Sequence, residues 1–283
     1  MNHPLLSDLT RQLTPISDTP ALDAAVLIAH IIDKPRTWVM AHPDLVLTSD
    51  QQNELAVSLE RLERGESFPY VLGHWEFFGL EFEVTPDVLI PRPETELLVE
   101  KAVVWLQKSP TRRTVADVGT GSGAIAVSIA ANIVEAHILA TDISKKALVV
   151  ARKNARKFNV EKQIDFVECD LLPANSPFIN GTPKVDLICA NLPYIPTEAL
   201  HHLPIFGREP TLALDGGVDG LGLIRRLLSL AREWLPSGGM LLLEIESSAA
   251  AQALDPAHEE LPEARIILYQ DLAGRDRLLE IMR

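Results

Sequence analysis

The spacing of apolar residues changes character twice along this chain. From about residue 4 to 65 they recur at helical intervals. Thr19 is placed to cap a helix whose first position is Pro20 and which continues through Ala21 to His30. Ser49 with Gln52 fits a capping box, Leu55, Leu59 and Leu62 then share one helix face, and Gly65 ends the helix. This predicts a bundle of short helices with little core of its own, suited to docking rather than catalysis. Across residues 69–90 the pattern turns to alternation with aromatics. Tyr70-Val71-Leu72-Gly73 and the run His74 to Val84 predict strands, with Gly79 as a turn or bulge. The expectation is a hairpin joining two domains.

From Thr114 on, short apolar runs alternate with helical patterns. The predicted strands are 114–118, 136–141, 164–168, 185–190, 239–245, 265–269 and 277–282, with helices near 123–132, 144–158 and 219–233. Strands apolar on both faces and alternating with helices predict an α/β fold with a mostly parallel sheet covered on both sides. The last two strands, on either side of Asp271 to Asp276, are expected to pair antiparallel at one edge. Asn175 to Pro183 is predicted as a loop rich in proline, serine and asparagine.

Composition narrows the class. The 283 residues are 47% hydrophobic and 23% charged, enough apolar material for a large domain plus a small one. A formal net charge of -13 argues against a free-standing binder of duplex nucleic acid and favours a basic protein partner. Two cysteines, Cys169 and Cys189, cannot make a disulfide framework, and a reducing cytoplasm is the expected setting. Met1 to Leu9 carries no lysine or arginine ahead of an apolar segment, so no secretory signal is expected there. No apolar run is long enough to predict a membrane span.

The candidate chemistry lies at predicted strand ends. Asp117-Val118-Gly119-Thr120-Gly121-Ser122-Gly123 follows a strand and opens a helix, where open α/β sheets bind ligands. Its glycines allow close backbone approach to a cofactor; the same turn also suits a strand-to-helix connection without a ligand. Asp142 ends the next strand, where a carboxylate can accept from ribose hydroxyls or cap the following helix. Asp170 and Leu171 end the third, placed for an adenine edge and face. Asn191-Leu192-Pro193-Tyr194 ends the fourth. The Asn191 side-chain carbonyl and the Leu192 backbone carbonyl can accept both hydrogens of a planar NH2 group, Pro193 holds Leu192 extended, and Tyr194 offers a flat packing face. A strand-terminating turn uses the same residue types. Together the two loops point to methyl transfer from S-adenosylmethionine to a planar nitrogen. His201-His202 lacks metal-ligand spacing, Cys189 sits inside a strand, and Ser122 lacks the spacing of a hydrolase elbow, so no metal or nucleophile is expected.

Several stretches carry a family resemblance: Leu89 to Glu96 (including Arg92-Pro93-Glu94-Thr95-Glu96), Asp117 to Ala126, Asp142-Ile143-Ser144, the Asn191 motif, Phe206 to Pro210, and Asp271 to Arg277. In these the chain resembles the HemK/PrmC family, the protein-(glutamine-N5) methyltransferases of peptide chain release factors. The resemblance implies a Rossmann-like class I methyltransferase domain of seven strands at 91–283, a helical substrate-docking domain at 1–68 and a β-hairpin linker at 69–90. It implies S-adenosyl-L-methionine as cofactor, with its methionine end on Gly119, Thr120, Gly121, Ser122 and Gly123, its ribose on Asp142, its adenine by Asp170 and Leu171, and Asn191 shared with the reacting centre. It also implies that Asn191, Leu192, Pro193 and Tyr194 grip the glutamine of a Gly-Gly-Gln loop in a release factor. The enzyme is expected to act as a cytoplasmic monomer without direct nucleic-acid or membrane contact. The family usually has Asn-Pro-Pro-Tyr where this chain has Leu192, and glycine where it has Glu246. The first change keeps the carbonyl; the second falls outside the amide grip. The open alternatives are glutamine methylation of a ribosomal protein, adenine-N6 methylation of nucleic acid, and a nucleotide-cofactor module such as a dehydrogenase.

Overall fold

The computed structural model describes residues 4–173 and 184–283, so the loop predicted at 175–183 lies outside the described residues. The chain divides into two compact units, Met1–Gly73 and His74–Arg283. The first holds helices α1 (Pro4–Leu13), α2 (Pro20–Ile31), α3 (Arg36–Ala41), α4 (Ser49–Glu63) and α5 (Phe68–Leu72) around a core of Leu9, Leu13, Leu27, Ile28, Val39 and Leu62.

Three local expectations are corrected here. Thr19 takes the N-cap position without a capping hydrogen bond, because its hydroxyl donates to Asp23 instead. The capping box of α4 is Thr48 with Gln51, one residue earlier than the Ser49–Gln52 pair. Residues 69–72 are helical, not a strand. Pro69 suits a helix start, Gly73 at φ 76° stops it, and five residues are too few for a helical period to show.

The second unit opens with strands β1 (His74–Phe77) and β2 (Leu80–Glu83), paired antiparallel across Phe78-Gly79, both at positive φ. This hairpin belongs to the second unit. Phe77 and Phe82 are fully buried in its core, and buried Asn154 brackets Glu83, accepting its N–H at 2.7 Å and donating to its carbonyl at 2.9 Å. There follow α6 (Glu96–Lys108), β3 (Thr114–Val118), α7 (Ala124–Asn132), β4 (His137–Asp142), α8 (Lys145–Lys157), β5 (Ile164–Glu168), β6 (Leu187–Ala190), α9 (Thr197–Leu200), α10 (Gly222–Trp234), β7 (Met240–Glu244), α11 (Ala250–Glu260), β8 (Arg265–Gln270) and β9 (Asp276–Met282). Helices α6, α9 and α11 go beyond the predicted set; Pro256 inside α11 masks its helical pattern.

Seven strands form one sheet in the order β5-β4-β3-β6-β7-β9-β8. The first five run parallel, and β9 pairs antiparallel with both β7 and β8, as expected for the last two strands. Successive residues such as Val115 and Ala116, or Leu187 and Ile188, enter opposite cores. One core is closed by α6, α7 and α8 and the other by α10 and α11, which is why the strands are continuously apolar. The chain runs outward from β3 through β4 to β5, then returns to β6 beside β3. That reversal opens a crevice at the strands' carboxyl ends.

Candidate active site

The loop after β3 is shaped by its backbone. Gly119, Gly121 and Gly123 all have positive φ, and the N–H groups of Gly119 and Thr120 both donate to the Thr141 carbonyl on β4. Gly121 N–H donates to Asp142 Oδ2 at 2.9 Å. Beneath the loop, Asp117 is fully buried and accepts from Thr120 Oγ1 at 2.6 Å and Ala126 N–H at 3.1 Å, while its Oδ1 has no partner. Burial pushes its pKa up to about 7 against those two hydrogen bonds, with a smaller push from Asp142. A Cβ at Gly123 would lie 3.1 Å from Ala151 Cβ, so this glycine lets α7 seat against α8.

Not every predicted residue faces one cavity. A cavity of about 260 Å³ is bounded by Gly119, Gly121, Asp142, Asp170 and Leu171 together with Asn191, Leu192 and Pro193. Thr120 and Ser122 border a small neighbouring space with Asn191. Gly123 is not among the residues bounding either one. Asp142 does not cap α8: Ser144 does, accepting from Ala147 N–H at 3.2 Å, while Asp142 Oδ1 accepts from Ser144 N–H. Its carboxylate thus ties the glycine loop to the turn that opens α8, and burial raises its pKa. Asp170 and Leu171 lie beyond the end of β5 rather than on it. Leu171 holds an unusual φ of 61° with its carbonyl bound by the Thr141 hydroxyl at 2.6 Å, and Asp170 pairs with Arg226 at 2.6 Å on the cavity rim.

The loop after β6 is shaped by side chains from distant segments. Asn191 Nδ2 donates to Thr95 Oγ1 at 3.0 Å. Buried Glu244, at the end of β7, has its pKa pushed up to about 7 by burial, opposed by hydrogen bonding from Thr95, by Arg277 and by hydrogen bonding from Asn191. A second, narrower cavity of about 100 Å³ shares Asn191, Leu192 and Pro193 with the first and adds Tyr194, Arg92 and Ile205. Asn191 therefore stands where the two cavities meet. Tyr194 is pushed up to about 12, chiefly by burial and then by Glu244, and stays a neutral ring wall.

Supports absent from the predicted set of roles converge here. Arg92 pairs with buried Glu209, whose other oxygen accepts Ile90 N–H at 3.1 Å. Ile195 exchanges backbone hydrogen bonds with Leu214 and Gly216. Gly220, at φ 76°, lies so close to Tyr194 that a Cβ would overlap the Tyr194 carbonyl. The Asp215–Gly222 segment is glycine-rich in sequence, which is a visible turn signal, but nothing in that pattern names Tyr194 as its partner. Glu246 caps the turn that follows β7 by accepting from Ser248 N–H at 2.7 Å. Cys189 is buried in the core, and His201 and His202 are exposed. Among the described residues no cluster of His, Cys, Asp or Glu is arranged to hold a metal, and no helix is long and apolar enough to cross a membrane.

Comparison with known proteins adds the following. A family model described as the PrmC N-terminal domain matches residues 4–73, and a methyltransferase domain model matches residues 115–204. The chain is 38% identical to the release factor glutamine methyltransferase of Coxiella burnetii, covering 98% of this chain and 96% of that protein. It is 40% identical to the protein of the same name from Moorella thermoacetica, covering 92% and 90%. Among solved structures, a T. thermophilus 16S rRNA N2 methyltransferase in complex with AdoMet and guanosine has a TM-score of 0.54 at 17% identity, over 74% of this chain and 49% of that one. The hMettl16 catalytic domain in complex with an RNA hairpin has a TM-score of 0.53 at 17% identity, over 83% and 82%. These two share the class I methyltransferase fold.

Proposed function

The chain belongs to the release factor glutamine methyltransferase family, and from that premise we propose that it methylates the side-chain amide nitrogen of the glutamine in a release factor's Gly-Gly-Gln loop. The observation that carries this reading is the orientation of Asn191. Its NH2 group is taken by Thr95, so its carbonyl oxygen is the group left to accept at the junction of the two cavities.

The residues fit S-adenosylmethionine as the methyl donor. Asp142 borders the larger cavity with a carboxylate suited to a ribose diol, and Ile143, Leu171 and Leu223 give it apolar walls suited to adenine. Asp117 Oδ1, unpartnered beneath the glycine loop, offers an acceptor at that end, and a cationic group bound nearby favours its ionised form over the protonated one. When bound, this cofactor supplies a methyl group on a positively charged sulfur.

The protein's own part is positioning and electrostatics. An amide nitrogen is a weak nucleophile because its lone pair is delocalised into the carbonyl. Asn191 Oδ1 and the Leu192 carbonyl accept its two hydrogens, which aligns the nitrogen and favours the charge distribution that frees the lone pair. Tyr194, as a neutral ring, packs the flat carboxamide. The replacement of the family's first proline by Leu192 leaves that carbonyl in place, and the Leu192 side chain is buried close to Gly119. The nitrogen gives up its extra proton to solvent after transfer.

The test is mass spectrometry of a release factor after incubation with this protein and S-adenosylmethionine, beside a ribosomal protein and a nucleic-acid substrate. The expected result is one methyl on the glutamine amide nitrogen of the Gly-Gly-Gln peptide. A methyl found only on one of the other substrates overturns the proposal.

A further inference from the structure

We infer that Glu244 is a positioning residue for methyl transfer: directly and through Thr95, it holds the Asn191 carboxamide with its oxygen facing the reacting centre. This inference rests on the amide-acceptor role proposed for Asn191.

Four observations lead to it. First, β6 and β7 run parallel with Ala190 opposite Leu243, so Asn191 and Glu244 occupy the next step of the register, at the carboxyl edge of the sheet. Second, Thr95 enters between them from the turn preceding α6 and is only 4% exposed. A hydroxyl has one proton and two lone pairs. Thr95 Oγ1 accepts from Asn191 Nδ2 at 3.0 Å, so its own proton is free to go to Glu244, which the Thr95 hydrogen bond helps keep charged.

Third, Glu244 is 2% exposed and its Oε2 has no partner. A carboxylate in such a place is costly unless it organises its neighbours. Fourth, a carboxamide has nearly the same shape after a half-turn. In that flipped state Asn191 would present an NH2 to a substrate NH2, donor against donor. A carboxylate feeding the hydroxyl relay disfavours the flip, since the Asn191 carbonyl oxygen and the Glu244 carboxylate would then compete for one hydroxyl proton.

The groups facing Glu244 are Arg277 from β9, Glu94 beside Thr95, and Tyr194 beyond β6; Glu246 follows in the turn after β7, and Arg92 acts on the same tyrosine. Burial raises the Glu244 pKa to about 7, so the ionised anchor is lost as pH falls below that value. Arg277, whose Nε is also unpartnered, opposes the rise.

The experiment measures kcat, the KM for substrate, and cofactor affinity by calorimetry for the full chain and for Glu244→Ala, Glu244→Gln, Thr95→Val and Thr95→Ser, on intact release factor across pH 6 to 9. Glu244→Ala and Thr95→Val are expected to lose roughly 10- to 100-fold in kcat with cofactor affinity unchanged. Thr95→Ser, which keeps the hydroxyl, is expected to recover most of what Thr95→Val loses. Glu244→Gln is expected to flatten the acid side of the kcat profile near pH 7. If Glu244→Ala does not fold, Thr95→Val and Glu244→Gln carry the test. Wild-type turnover with unchanged kcat in Thr95→Val and an unaltered pH profile in Glu244→Gln overturns this inference alone. Absence of wild-type turnover on release factor overturns the function itself.

Discussion

The loops after β3 and after β6 lie beside each other at the carboxyl edge of one sheet, yet they hold their shapes by different means. The first is a backbone device. Its turns come from glycines at positive φ, and its hydrogen bonds run to the adjacent strand β4 and to Asp142 at its end. The second is a side-chain device. Asn191 is oriented by Thr95, which lies 96 positions away, and its neighbour Tyr194 is backed by Gly220. A loop proposed to approach a cofactor closely gains from glycines at its bends. A loop that must present one carbonyl in one direction needs its side chain locked from behind.

The sharpest way to break this contrast is at Asn191. Asn191→Ala is expected to lower kcat by about 10² to 10³, the cost of removing one preorganised group at the reacting centre, and to leave cofactor affinity intact. Loss of cofactor binding in step with kcat would make the two loops one device. Next comes the support behind the β6 loop. Gly220→Ala is expected to destabilise the fold by roughly 3 kcal/mol, because the new methyl overlaps Tyr194 in a backbone conformation that suits glycine. A shift in denaturant midpoint at constant slope measures it, and an unshifted midpoint removes Gly220 from the support.

The most gradual effect, small within any one pH unit, lies under the β3 loop. The pKa of Asp117 is about 7 in the folded chain and near 3.8 when unfolded. As pH rises, the unfolded chain releases this proton first, so the stability present below about pH 4 is lost progressively up to about pH 7. Asp117→Asn is expected to make that decline shallower by at most about 1.4 kcal/mol per pH unit. Denaturation curves at several pH values with equal slopes in both proteins would contradict the buried, proton-holding carboxyl.

What could be read in advance follows the same division. β3 and β5 lie at their predicted bounds, and the glycine turn follows β3 as expected, because strand apolarity and positive-φ glycines are local properties. Residues 69–72 misled because a five-residue helix, Phe68–Leu72, resembles a strand in pattern. The Asn191 motif was visible, but its orientation was not. Thr95, Glu244, Glu209 and Gly220 meet around it only after the sheet has formed, and no spacing along the chain encodes that meeting.

The most direct measurement is a crystal structure of the full chain with S-adenosylhomocysteine and a Gly-Gly-Gln peptide. The glutamine NH2 is predicted to donate to Asn191 Oδ1 and to the Leu192 carbonyl, with Asn191 Nδ2 still on Thr95. A glutamine bound elsewhere, or an Asn191 oxygen turned back toward Thr95, would contradict the amide grip.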